Sequence, residues 1–90
     1  MSTQMICHFE VTSFEAWHRA FNSDNEARRD AGLSVLQIWR DADSTTHAFA
    51  LLTVNDRAKA DAWITRSNAL SSDDDSTVLH ASHFFIKTAT

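Results

Sequence analysis

The stretch Phe9-Glu10-Val11-Thr12-Ser13-Phe14-Glu15-Ala16-Trp17-His18-Arg19-Ala20-Phe21 changes its apolar rhythm part-way along. Up to Val11, apolar residues fall at every second position. From Phe14 they recur at Trp17 and Phe21, a spacing of i, i+3 and i+7. The first period belongs to a strand and the second to a helix, so the segment reads as a strand running directly into a helix. A second strand–helix unit follows around Val54 to Ile64, again with a Trp (Trp63) on the helix.

Working outward, the first strand spans Thr3 to Val11. Met5, Cys7, Phe9 and Val11 share one face, and Gln4, Ile6, His8 and Glu10 share the other. Thr12 and Glu15 have capping-box spacing, with Ser13 as an alternative cap. Glu15 near the start of the helix and Arg28–Arg29 near its end suit the helix dipole. Gly32 is placed to end the helix in a left-handed conformation. A second strand follows from Leu33 to about Arg40, in which Leu36 and Ile38 alternate with Val35, Gln37 and Trp39. Asp41 to Thr46 is short and polar, a hairpin loop. The third strand, His47 to Val54, is apolar at nearly every position, which predicts burial on both faces and a central place in the sheet. Asn55 or Asp56 caps a second helix with a buried side of Ala60, Trp63, Ile64 and Ser67. Residues 67–76 form a polar connection with a short turn at Asn68 to Ser71. The fourth strand runs from about Thr77 to Lys87.

This βαββαβ order predicts an α+β domain spanning residues 1–90. It consists of a four-stranded antiparallel sheet with the first and third strands central and two helices on one face. A bare apolar face on the other side calls for a partner, and a second copy packed sheet to sheet is the economical one. Ninety residues support only a modest core, which favours the same conclusion.

Composition narrows the function classes. The net charge is −4 and only 8 residues are Lys or Arg. That argues against nucleic-acid and anionic-membrane partners, which need concentrated positive charge. With no proline and one glycine, phosphate-cradling Gly loops are excluded. The single Cys7 has no internal disulfide partner and reads as a buried thiol. The run from Met1 to Gln4 enters the first strand with no basic and apolar leader pattern and no long apolar span, so a cytoplasmic protein is expected. The strand-three segment His47 to Leu52 lacks the basic and glycine residues of RNA-binding domains of the same element order. Metal chaperones of this order need a Cys pair. Asp73-Asp74-Asp75 reads as a solvated loop, because calcium loops need spaced oxygen ligands and a Gly turn.

The chain resembles the dimeric α+β barrel superfamily, with its ferredoxin-like fold and antibiotic-biosynthesis monooxygenase-like members. The resemblance is carried by His8 to Trp17, Phe21, Arg29-Asp30-Ala31-Gly32-Leu33, Arg40-Asp41-Ala42-Asp43 and Val54 to Ala60. It implies a sheet-to-sheet homodimer and a ligand cavity between sheet and helices. It also implies activity as a cofactor-independent monooxygenase-like or cyclase-like enzyme, or else a non-catalytic binding module. Haem-degrading members use an Asn on the first strand. This strand carries His8 and no Asn, so haem degradation is not implied.

Candidate residues follow. His8, among apolar neighbours, is the candidate general acid–base; the alternative is a half-buried imidazole satisfied by a neighbour. His80 is a second candidate beside it, since the fourth strand should pair with the first. His80 and His83 point to opposite faces, so no metal set is expected. Trp17, Phe21, Trp39 and Trp63 either pack the core or line a site for a flat aromatic or polyketide-like ligand. Arg40, with Arg28 and Arg29, offers a partner for an acidic ligand group or serves at the surface. No bound cofactor is expected.

Overall fold

The computed structural model describes residues 3–70, 77–87 and 89, with side chains left out at 68–70. The elements are β1 (Thr3–Val11), α1 (Phe14–Ser23), α2 (Asn25–Asp30), β2 (Leu33–Arg40), β3 (His47–Val54), α3 (Arg57–Leu70) and β4 (Val78–Lys87). The expected loop at Asp73 to Asp75 lies outside the described residues. The expected turn at Asn68 falls instead in the last turn of α3.

The strands form one antiparallel sheet in the order β2-β3-β1-β4, with β1 and β3 in the interior. The result is a small α+β fold compatible with a ferredoxin-like arrangement, with three helices in place of the expected two. Among the described residues, no helix is long and apolar enough to cross a membrane.

The extra helix comes from a break at Asp24. The Asp24 N–H donates to Phe21 O at 3.3 Å, a tightened last turn, and Ser23 Oγ donates back to Ala20 O at 2.8 Å. The run Asn22-Ser23-Asp24-Asn25 is poor in helix formers, because such side chains compete for backbone groups. Ser13, not Thr12, caps α1: its Oγ accepts from Ala16 N at 3.2 Å. Asp56 caps α3 in the same way, accepting from Lys59 N at 3.1 Å.

The alternation in β1 decides the layering. Met5, Cys7, Phe9 and Val11 are buried, and the first three pair across the ladder with Leu52, Ala50 and Ala48, also buried. Trp17 and Phe21 of α1 and Ala60 and Trp63 of α3 belong to the same core, so the helices cover this face. β3 is interior as expected, but its burial alternates: its second face is only half covered in a single chain. That open face presents Ile6, Phe49, Leu51, Trp39, Phe84 and Ile86.

β2 departs from simple alternation. Its register shifts between Val35 and Gln37, leaving Leu36 opposite no partner. A bulge of this kind inserts one residue and turns the following side chains over. Val35 and Ile38 therefore share the helix-covered face, whereas Leu36 is exposed.

Gly32 closes the α2–β2 turn at φ +74, and its carbonyl accepts from Asn55 N at 2.9 Å. A Cβ there would lie 3.4 Å from Asp56 N. Gly32→Ala should therefore lower unfolding stability by about 1–2 kcal/mol, the cost of a side chain in the left-handed region. Urea denaturation measures it, and an unchanged midpoint would contradict it.

Candidate functional site

The sheet separates the expected site residues into two groups. Trp17, Phe21 and Trp63 lie on the helix-covered face. His8, Trp39 and His80 lie on the open face, because they pair with Phe49, Phe49 again from the β2 side, and Glu10 respectively. The structure thus does not bring His8 and Trp17 to one cavity. The parity of β1 is the reason: His8 sits between Cys7 and Phe9, and a one-residue step in a strand changes faces.

On the open face His8 is paired with a histidine. His8 Nε2 and His47 Nδ1 share a hydrogen bond of 3.0 Å, one ring nitrogen carrying the proton. The two rings stack at 5.2 Å, and His8 also stacks on Phe49 at 4.8 Å. His47 is half-buried here. Arg40 is placed elsewhere again: with Ser13, Phe14, Glu15 and Thr45 it borders a hollow of about 220 Å³ at the start of α1.

On the helix side a cavity of about 280 Å³ opens between α1, α3 and the sheet. Its apolar wall is Phe9, Trp17, Phe21 and Trp63. The rings are mutually packed, with Trp17 4.8 Å from Phe21 and 5.2 Å from Phe9. The polar wall includes Ser23, Asp24, Arg28, Ser67 and Thr77. A hollow of about 360 Å³ between α2 and α3 is larger, but Asp30, Lys59 and Arg66 on its rim are exposed and no polar group is buried in it.

Arg28 departs from expectation in its burial. Read from sequence as a dipole-pairing or surface residue, or as a partner for an acidic ligand group, it is only 2% exposed. Its guanidinium lies over the Phe21 ring, 3.7 Å from the centroid. Among the described residues, its Nε and Nη1 are closed off from water and have no hydrogen-bond acceptor. Burial pushes its pKa below the ordinary guanidinium value, and the Asp24 carboxylate pulls the other way. The spacing of four and seven from Trp17 to Phe21 to Arg28 would continue the stripe of an unbroken helix, but the break at Asp24 puts Arg28 on α2.

His83, not His8, is the histidine facing the helices. It pairs opposite Cys7 and meets Phe9 and Trp63 edge-on, at 5.8 and 6.0 Å. Its Nε2 is closed off without a partner among the described residues. Cys7 beneath is fully buried, and burial pushes its thiol up to about 12, so it stays protonated and unreactive. No group of three or more His, Cys, Asp or Glu side chains that would hold a metal occurs among the described residues.

No protein-family model matches the chain, and comparisons with curated proteins and with solved structures return no match.

Burial lowers the His83 pKa below the ordinary 6.5. The unfolded chain then binds more protons than the folded one at mildly acidic pH, so this group's contribution to stability falls as pH drops below about 6.5. His83→Phe removes that contribution. Relative to the variant, the wild type should lose stability between pH 7 and pH 5 in chemical denaturation. Parallel curves over that range would contradict it.

Proposed function

We propose that the chain is a homodimeric binding protein for a small flat aromatic or polyketide-like molecule, held in the cavity between helices and sheet. The observation that carries this reading is the cavity itself: four aromatic side chains form one wall and a few polar groups face them. That is the usual make-up of a small-molecule site, an apolar lining with sparse orienting groups. Flat ligands suit it because ring faces and edges offer stacking contacts beyond simple area burial.

The resemblance to the dimeric α+β barrel superfamily, and to a ferredoxin-like fold, is consistent with this placement of the cavity. A monooxygenase-like or cyclase-like activity centred on His8 is less well supported. An acid–base group must come within hydrogen-bond reach of the proton it moves, and His8 is across the sheet from the cavity. Binding without chemistry is the reading that the arrangement of residues favours.

Dimerisation rests on the open face. Trp39, Phe84 and Ile86 are exposed there on β2 and β4, and Ile6, Phe49 and Leu51 lie between them on the interior strands. Apart from its histidines, this face carries one charged side chain, Glu10, so self-association desolvates little charge. The molecule's two longest dimensions are 36 and 27 Å. A face of that extent has room for the roughly 800 Å² per partner of a stable interface. The His8–His47 hydrogen bond lowers the cost of burying two imidazoles at such an interface, since one nitrogen of each is paired.

Two measurements test these readings. A thermal-shift screen against substituted naphthalenes, quinones and haem should find ligands that raise Tm by the order of 10 °C at saturating concentration. Ala20→Trp, at the exposed rim of the cavity, should abolish the shift while leaving the unliganded Tm in place. A screen in which no flat aromatic raises Tm would sink the cavity reading. For the dimer, light scattering at micromolar concentration should give twice the chain mass, and Phe84→Glu should give a folded monomer. A wild-type monomer would refute it.

A further inference from the structure

The geometry points to a specific ligand class for this cavity: an aromatic monocarboxylate, its carboxylate held by Arg28. This rests on the cavity reading above and narrows it.

Arginine is almost never fully buried unless its donors are paired. Arg28 is buried, yet Nε and Nη1 have no acceptor among the described residues. The ring of Phe21 engages the flat face of the guanidinium. That contact leaves the N–H edges, where hydrogen bonding takes place, unused. Those edges form a planar fork that matches the two oxygens of a carboxylate. Nη2 is not among the closed-off nitrogens, so an incoming anion meets it first. A small rotation of the flexible stem then presents a second N–H.

Three further features select the class. The cavity, at about 280 Å³, falls just below the roughly 300–1,000 Å³ range for ligand sites, which suits one or two fused rings. Phe9, Trp17, Phe21 and Trp63 supply the aromatic wall for them. Asp24 shares the cavity lining, and its charge opposes a second negative charge on the ligand. A carboxylate carries one charge at neutral pH and a phosphate monoester close to two, so the carboxylate is favoured.

Isothermal titration calorimetry with three probes of one shape tests this. In the wild type, 1-naphthoate should bind about 10- to 100-fold more tightly than the neutral 1-naphthamide, the value of a charge-assisted hydrogen bond. It should also bind more tightly than 1-naphthyl phosphate. Arg28→Met should erase the preference for naphthoate, retain naphthamide binding, and leave Tm unchanged or raised, since an unpartnered charge is removed. Equal binding of naphthoate and naphthamide to the wild type would overturn the role of Arg28 and leave the cavity reading standing. Tighter binding of the phosphate would overturn the choice of a monoanion. Failure of all three probes would overturn both readings. A structural arginine would show itself differently, by a lower Tm in Arg28→Met with both affinities reduced alike. That result also overturns the inference, and the wild-type comparison remains decisive if the variant does not fold.

Discussion

The ladder between β1 and β3 sets the rest of this structure. Met5, Cys7 and Phe9 stand opposite Leu52, Ala50 and Ala48, and all six are buried. The pairing combines a large residue with a small one at Phe9–Ala48, which leaves space above the sheet. Trp17, Phe21 and Trp63 fill much of that space from the helices. Large side chains on one layer over small ones on the other is how a core reaches crystal-like density without strain. Truncating any of these aromatics would enlarge an existing hollow, and such cavities cost in proportion to their volume.

The same ladder makes the opposite face a problem that a single chain does not solve. Once the odd-numbered residues of β1 face the helices, Ile6 and His8 must face away, together with Phe49 and Leu51 of β3. A 90-residue domain has little surplus stability with which to tolerate exposed apolar area. The exposed Phe84 and Ile86 side chains of β4 extend that area to the sheet edge. Sheet edges of this kind invite pairing unless something covers them. The sheet-to-sheet dimer proposed above would cover the face. The His8–His47 hydrogen bond satisfies one nitrogen of each ring on this face.

Most of the architecture was legible in the sequence because it follows from two periods. The strand bounds of β1, β2 and β3, the interior place of β1 and β3, and the buried stripe Trp17–Phe21 all come from period two or period 3.6. What escaped was whatever breaks a period. The break at Asp24 depends on side chain–backbone competition at Ser23, which a hydrophobic pattern does not register. The bulge at Leu36 reverses the expected facing of half of β2, and nothing apolar or polar in Leu33 to Arg40 marks where the extra residue goes in. The site was less legible than the fold. Its aromatic wall was found, because aromatics on a helical stripe are conspicuous. Its charged member was only one of three arginines offered for an acidic ligand group, because an arginine near a helix end has an ordinary explanation in the dipole. His8 was favoured over His83 by its apolar neighbours, although neighbours in a strand face the other way and say nothing about a side chain's own surroundings.

Arg28 also bears on why the aromatic cluster does not simply close. A core built only to be stable would have a hydrocarbon at this point, since replacing a buried charge with a packed apolar group is commonly neutral or stabilising. The chain instead places a cation against Phe21 and leaves two of its donors without acceptors. Stacking on the ring recovers part of the lost hydration of the guanidinium face, on the order of 2 kcal/mol when desolvated, but does nothing for the N–H edge. The empty protein therefore carries a local deficit at the buried cation of an aromatic pocket. Such deficits concentrate at functional sites, where stability is given up for binding. An acceptor supplied from outside removes the deficit, and the binding energy is then largest for a ligand that combines an anionic group with a flat apolar body. Under the proposed binding role, the residue that weakens the core would also select the molecules it admits.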